Sequence, residues 1–422
     1  MNDSLDFYQQ QAQSRLSTLP WLAQLQSQAF TDLRQHGFPT RQNEEWKYTA
    51  VDTLLKHSFI SPTAVVNHTT PTPSDLPIQH QLHLHNGLIL GQEELLKSLP
   101  TGVLILPLSV ALTSHPDLVK PYLGKILQAE HGFHALNTAM IECGVFIYLP
   151  IGVRIEQPIL LTHLQDQMNQ AVYLRHLIVA EAQSQATFIE EYQGSEQSCY
   201  LTNVVTEVFV GEQAKINHYK VQRESKAAYH LGHLAVKQAA ASEFANHSLS
   251  LGGKLVRSDI SIYLLEEQAH CLMNAIYAPA EGQHVDHHTT VYHLVPDCQS
   301  NQDYKGILTG RSRAVFNGKV IVAKDAQHTN ANQQNKNLLL SAHAEIDTKP
   351  QLEIFADDVL CSHGATVGQL DEEALFYLAT RGIDRVEAAH YLIHAFTQEN
   401  LRLMPHRELA EYLGTLLTEQ LR

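Results

Sequence analysis

Residues 186–244 read ATFIEEYQGSEQSCYLTNVVTEVFVGEQAKINHYKVQRESKAAYHLGHLAVKQAAASEF. Three times in this stretch a polar turn is followed by a small residue, any residue and an apolar one: Ala186-Thr187-Phe188, Ala214-Lys215-Ile216 and Ser242-Glu243-Phe244. The phrase returns at Ala269-His270-Cys271, Ala314-Val315-Phe316 and Ala344-Glu345-Ile346, giving steps of 28, 28, 27, 45 and 30 residues. Short β-rich runs fill the region, at 171–179, 204–210, 258–264, 320–322 and 338–340, and long helical periodicity is absent. A near-constant step in a strand-rich region predicts a solenoid. With strands rather than helices it predicts a parallel β-helix, each coil covering its neighbour's edge. The competing reading is ordinary antiparallel β-structure with chance spacing. The step of 45 is taken as one period plus an insertion at 280–305.

Working outward, the predicted β-helix core spans 151–370. Residues 80–150 are mixed, with short strands on either side of the turn pair Asn86-Gly87 and helical spacing at 133–141. Residues 61–79 carry Pro62, Pro71, Pro73 and Pro77 among Thr and Ser, a linker composition. Residues 1–60 are expected to be helical: Trp21, Leu22, Leu25, Ala29, Phe30 and Leu33 recur at helical spacing, and Pro20 suits a first turn. Helix returns at 371–422, where Leu375 and Leu378, then Val386, Ala389, Ile393 and Phe396, are helically spaced around a Gly382 turn. This last module is expected to cap the solenoid, bind a partner, or both.

Composition bounds the function. The 422 residues hold 29 Lys plus Arg against 44 Asp plus Glu, a net charge of -15, which argues against a nucleic-acid scaffold. No run approaches the ~18 apolar residues of a membrane span. The N-terminus, MNDSLDFYQQQAQSRL, has no apolar core of a signal peptide, so a cytoplasmic protein is expected. Five scattered Cys, at 143, 199, 271, 298 and 361, form no C-x-x-C pair. A closed zinc or four-Cys iron–sulfur site within the chain is therefore not expected, nor is a disulfide framework. No phosphate-binding P-loop, dinucleotide GxGxxG or G-x-S-x-G elbow occurs.

Histidine is abundant, at 26 residues. His284, Asp286, His287, His288 and His293 crowd one stretch, where His287 with His293, or Asp286 with His288, could ligate metal. The stretch falls in the proposed insertion, and the plainer expectation is a solvated loop. His83 and His85 alternate with leucines and are assigned to the wet face of a strand. In 357–370, DDVLCSHGATVGQL, strand alternation puts Cys361 and His363 on one face, ~6.5 Å apart at Cα. A thiolate and an imidazole there could approach one metal ion or cluster. Two ligands do not close a site, so the rest would come from another chain. The alternative is a small buried Cys beside a turn histidine. Asp357 and Asp358 are adjacent and point to opposite strand faces, so they do not form the paired acid and base of a glycosidase.

Across these residues the sequence resembles the SufB/SufD family of iron–sulfur cluster assembly proteins. The matching blocks run in order through 133–140 (FHALNTAM), 153–160 (VRIEQPIL), 293–300 (HLVPDCQS), 304–306, 315–319 (VFNGK), 326–329 (AQHT), 337–341 (NLLLS), 350–370 and 375–383 (LFYLATRGI). Length, the segment 43–49 (NEEWKYT) and CSHGAT, with Gly after His363, resemble the SufD branch rather than SufB. The resemblance implies a right-handed parallel β-helix flanked by helical N- and C-terminal domains. It implies a non-catalytic scaffold in a complex with SufB and two SufC ATPases. The β-helix would pair with that of SufB and the C-terminal helices would dock SufC, with Leu375, Leu378, Ile383, Leu392 and Phe396 as candidate contacts. A nascent, transient iron–sulfur cluster would form at the SufB interface, with His363 as ligand and Cys361 as a weaker candidate. Reduced flavin is linked to the complex, no flavin site is assignable to these residues, and no cofactor is expected to stay tightly bound to the isolated chain. A homodimer of the isolated chain is an open alternative. So are a SufB-like scaffold carrying a cluster alone and, remotely, a β-helix carbohydrate lyase or hydrolase.

Overall fold

The computed structural model describes residues 2–62, 76, 78–90, 92–127, 129–141 and 143–421. Of the stretch 61–79 expected as a linker, residues 63–75 and 77 lie outside the described residues. Two N-terminal helices, α1 (Asn2–Gln13) and α2 (Pro20–His36), come first. A mixed segment follows: β1 (His80–His85), β2 (Leu88–Leu90), α3 (Gln92–Ser98), β3 (Leu104–Pro107), α4 (Leu108–Ser114), α5 (Pro116–Val119), α6 (Gly132–Ala139) and β4 (Val145–Leu149). The solenoid strands come next: β5 (Ile159–Gln165), β6 (Ala171–Ala180), β7 (Gln185–Gly194), β8 (Leu201–Val210) and β9 (Lys215–Arg223). They continue as β10 (Tyr229–Gln238), β11 (Glu243–Ser250), β12 (Leu255–Leu264), β13 (His270–Tyr277) and β14 (His284–His293). The last five are β15 (Gln299–Leu308), β16 (Arg313–Val322), β17 (Asn330–Leu339), β18 (Glu345–Ile354) and β19 (Leu360–Gly368). Three helices close the chain: α7 (Glu372–Thr380), α8 (Arg385–Leu401) and α9 (Arg407–Gln420).

Odd-numbered strands from β5 to β19 stack in one sheet, the B sheet, and even-numbered strands from β4 to β18 in the other, the C sheet. Each strand pairs in parallel with the one a coil later, for example Lys215 with Glu243 and Glu243 with His270. The result is a β-solenoid of about 8 turns with helices at both ends of the chain, as the repeat predicts.

The structure corrects the phasing of that repeat. At the turn entering each of the strands β7, β9, β11, β13 and β15, one non-glycine residue takes a left-handed φ: Gln183, Gln213, Ala241, Gln268 and Asp297. The residue after it is small and fully buried: Ser184, Ala214, Ser242, Ala269 and Cys298. There the chain re-enters the coil, and little room exists for a larger side chain. The first repeat is therefore anchored at Ser184, not Ala186. Ala314 and Ala344 belong to the C sheet, so the step of 45 is one coil plus half a coil. No insertion exists at 280–305. That stretch is the regular strand β14 and the start of β15.

Both sheets also reach back beyond residue 151. β1 pairs with β5, and β4 with β6, in parallel. At this end the edges are closed by antiparallel partners, β2 on β1 and β3 on β4. The β1–β2 turn uses Asn86 and Gly87, both at positive φ, as a two-residue hairpin requires. At the other end β18 and β19 are the last strands of their sheets.

The helices lie along the sides rather than over the open end. Tyr8, Leu33, Trp46, Phe59 and Phe133 pack on outward residues of the C sheet, including Tyr173, Tyr229 and Leu255. Segment 43–49 is pinned to the same face. Glu44 pairs with Lys349 at 2.8 Å, Glu45 accepts from Asn317 at 2.9 Å, and Trp46 lies under the Arg257 guanidinium at 4.0 Å. On the opposite side Ile393, Leu401, Leu409, Leu413 and Leu417 cover Tyr219, Leu249 and Ile276 of the B sheet. Of the two roles expected for the C-terminal module, capping the solenoid end is thus excluded by its position.

The inside of the solenoid is apolar at the corners and polar along its middle. Inward residues include His163, Glu190, Lys220 and His287. The lumen carboxylates are paired: Tyr192 and Thr206 donate to Glu190 at 2.6 and 3.1 Å, and His230 meets Glu224 at 2.7 Å. The five-residue cluster from His284 to His293 is likewise strand, with His287 and His293 buried. Asp286 and His288 do meet, at 2.9 Å, as an ion pair whose other members are Arg257 and Glu45. His287 and His293 are six strand residues apart, ~20 Å, and cannot share an ion.

Burial pushes His233, His247, His287 and His293 down to about 4, so each is neutral in the fold. Unfolding restores an ordinary pKa near 6.5. Stability from these four is therefore complete above pH 6.5 and is lost as pH falls toward 4, at up to ~1.4 kcal/mol per pH unit for each. His288 is raised, against burial, by Asp286 and Glu45, and works in the opposite direction. Urea midpoints should fall clearly between pH 7.5 and pH 5; equal midpoints would contradict neutral burial.

Candidate functional site at the open end of the solenoid

β19 pairs with β17 in register, Cys361 with Ala331 and His363 with Gln333. Strand alternation gives β17 one inward set, Ala331, Gln333, Asn335 and Asn337, all buried. In-register parallel neighbours point the same way, so Cys361, His363 and Ala365 continue that set. Among the described residues no further coil covers them, and His363 is exposed. It ends an inward column that runs back through Gln333 to Gln302 and Met273. Gln333 Nε2 donates to Gln302 Oε1 at 3.3 Å, and Thr289 donates to the same oxygen at 2.7 Å. Gln333 Oε1, next in line below His363, is buried without a hydrogen-bond partner among the described residues.

The two nominated ligands thus share a face, as strand alternation predicts, in different settings. Cys361 is half-buried against Val320, Val322, Ala331 and Ala356. Burial pushes its thiol up, with the backbone at Ala331 opposing, so it is mainly the protonated thiol at neutral pH. His363 presents an imidazole to the surroundings. Asp357 and Asp358 lie in the bend before β19, and Asp358 pairs with His328 at 3.3 Å, a turn role.

Apolar side chains surround the open end: Leu360 (74 % exposed), Phe355, Val367 and Ile354 are uncovered. A second uncovered set lies on the C-terminal helices. Of the five nominated contacts, Leu375 is buried and Leu378, Ile383, Leu392 and Phe396 are half-buried. The exposed apolar residues are others on the same helices: Phe376 (72 %), Val386 (70 %), Tyr377 and Tyr391. Helical periodicity alone does not separate these faces, because both are apolar. Asp371 and Asp384 cap α7 and α8, and Arg385 forks onto both oxygens of Glu372 at 2.9 and 2.6 Å, fixing the helix pair.

Comparison with known proteins is consistent along the chain. The family model of the SUF system FeS cluster assembly SufBD core domain matches residues 163–396, and that of the SufBD protein N-terminal region matches 2–161. The chain is 33% identical over 391 residues to an iron-sulfur cluster assembly SufBD family protein of Synechocystis sp., covering 90% of this chain and 86% of the relative. It is 32% identical over 382 residues to the iron-sulfur cluster assembly protein SufD of Escherichia coli, covering 88% and 86%. To SufB of Bacillus subtilis it is 26% identical over 312 residues, covering 72% and 66%.

The raised Cys361 pKa gives a direct check. Alkylation of Cys361 by iodoacetamide, followed by peptide mass spectrometry, should be slow at pH 7 and accelerate through pH 9 and above. A fast, pH-independent reaction from pH 6 upward would instead mark an activated thiolate.

Proposed function

The chain belongs to the SufBD family, and from that premise we propose that it acts as a SufD-like scaffold in iron–sulfur cluster assembly. The observation that carries this reading is the exposed His363 at the uncapped end of a solenoid whose other end is closed. The open edge of β18 and β19, rimmed by Leu360, Phe355 and Val367, would pair with the β-helix of SufB. His363, as a neutral imidazole, would supply one ligand to a nascent cluster completed by SufB; neutral imidazole is the ligating form. Cys361, held as a thiol, is the weaker ligand. The cluster is cargo that leaves. Reduced flavin, where it takes part, would act on the complex.

The exposed surface of α7 and α8 would dock the SufC ATPase, with Phe376, Tyr377, Val386 and Tyr391 as contacts and the half-buried Leu378 and Leu392 supporting them. ATP hydrolysis would belong to SufC, leaving this chain non-catalytic. No helix among the described residues is long and apolar enough to cross a membrane; the proposed setting is the cytoplasm. Without SufB, the same open edge could join two copies of this chain.

His363→Ala should leave folding unchanged, since surface substitutions usually alter stability by no more than ~0.5 kcal/mol. It should leave co-purification with SufB and SufC intact and lower the iron and acid-labile sulfide assembled on the complex several-fold. Unchanged cluster content would overturn the ligand role. Phe376→Asp with Val386→Asp should abolish SufC capture in a pull-down while SufB still binds; retained SufC would place docking elsewhere.

A further inference from the structure

Far from the open end, three potential ligands converge where the N-terminal module meets the C sheet. One nitrogen or oxygen from each of His131, His134 and Asp259 lies within 4.8 Å of the other two. His131 is the residue before α6 and His134 lies in its first turn. That spacing brings the two rings to 3.7 Å between centroids, tilted by 33°. Asp259 comes from β12, where it sits in register between His233 of β10 and His288 of β14 on the outward face. β12 is three strands from β18, about 14 Å at the usual strand spacing, so this cluster and His363 are separate.

The surroundings fit a metal centre. A ligating carboxylate is commonly held by further hydrogen bonds. Arg257 supplies them here, with Nη2 at 2.8 Å and Nε at 3.0 Å from Asp259. Burial opposes ionisation of Asp259, but Arg257 outweighs it and holds the carboxyl below its usual range. Burial, reinforced by His134, keeps His131 well below its usual pKa and therefore neutral. His134 Nε2 meets His233 Nδ1 at 2.9 Å, and His233 Nε2 meets Ser261 Oγ at 3.0 Å. With the protons running from His134 to His233 to Ser261, His134 turns Nδ1 to the ion. Such a second hydrogen bond is what fixes the tautomer of a metal-bound histidine. His131 Nδ1 is shut off from solvent with no hydrogen-bond partner among the described residues.

We propose that His131, His134 and Asp259 hold one divalent transition-metal ion of the zinc type, with water in the fourth position and His233 and Arg257 as positioning residues. Two imidazoles and one carboxylate are a donor set that such ions accept. A tetrahedral ion at about 2.0–2.1 Å needs its ligand atoms about 3.3 Å apart, which small side-chain rotations supply from the observed spacing. The ion would tie the start of α6 to β12, and so the N-terminal module to the solenoid.

The test uses the full-length, untagged chain after chelator treatment, titrated with Zn²⁺ by calorimetry and with Co²⁺ by visible absorption. One ion per chain should bind, raise Tm, and give the d–d bands of a low-coordinate cobalt site. His131→Gln, whose folding is checked by circular dichroism and the metal-free Tm, should weaken binding at least tenfold and remove the Tm shift. Asp259→Asn should do the same, and His363→Ala should bind as the wild type does. The proposal is overturned if the wild type binds no ion, if His131→Gln binds Zn²⁺ normally, or if His363→Ala abolishes binding.

Discussion

Every strand of the solenoid must hand its backbone hydrogen bonds to a strand one coil away. A coil cannot satisfy its own edges, because its two sides face opposite sheets. This requirement fixes the spacing of paired residues, such as Gln185 with Lys215 and Tyr229 with Leu255. It also means that the stack needs a device at each end. The N-terminal end has one, the antiparallel partners β2 and β3. The C-terminal end has none among the described residues, and the helices that follow fold back along the side. The open end thus follows from the topology, and the placement of His363 on it follows from strand alternation.

The same stacking explains why the lumen tolerates polar groups. An isolated buried histidine or carboxylate is costly, but in-register columns bring such groups together coil after coil. Glu190 has Tyr192, Thr206 and His218 within hydrogen-bond reach, and Gln302 receives both Thr289 and Gln333. Buried polar networks with most partners present also favour one register over a slipped one. A one-residue slip in β17 would expel Gln333, Asn335 and Asn337 from the interior and bring Lys336 inside.

Much of this was legible in the sequence and some was not, for identifiable reasons. The period near 28 was visible because the tight turn demands a small residue once per coil. Its phase is not separable in sequence, because the two sheets carry similar phrases half a coil apart and β14 then resembles an insertion. Alternation with leucines places His83 on a wet face, yet it is half-buried and bonds Thr162 at 2.6 Å. Alternation marks a one-sided sheet, whereas a solenoid strand covered by helices buries both faces. His363 and Cys361 were placed by alternation, and their importance rested on resemblance. The outward face of α7 and α8 was not separable from the inward one, since Phe376 and Leu375 are equally apolar in sequence.

The histidines divide by position rather than by number. Those inside the solenoid, such as His163 and His287, are enclosed by their own coils, so any chemistry they perform stays structural. His131 and His134 approach Asp259 only because the start of α6 is brought beside a residue more than a hundred positions away in sequence, a juxtaposition no local pattern announces. His363 is different again: its in-register neighbour is Gln333 below, and among the described residues no strand lies above it. One exposed imidazole with a half-buried thiol two residues away cannot close a coordination sphere. A ligand placed on an unpaired edge is therefore useful only when that edge is covered, so the strand that lacks a hydrogen-bonding neighbour and the ligand set that lacks members are two aspects of the same incompleteness.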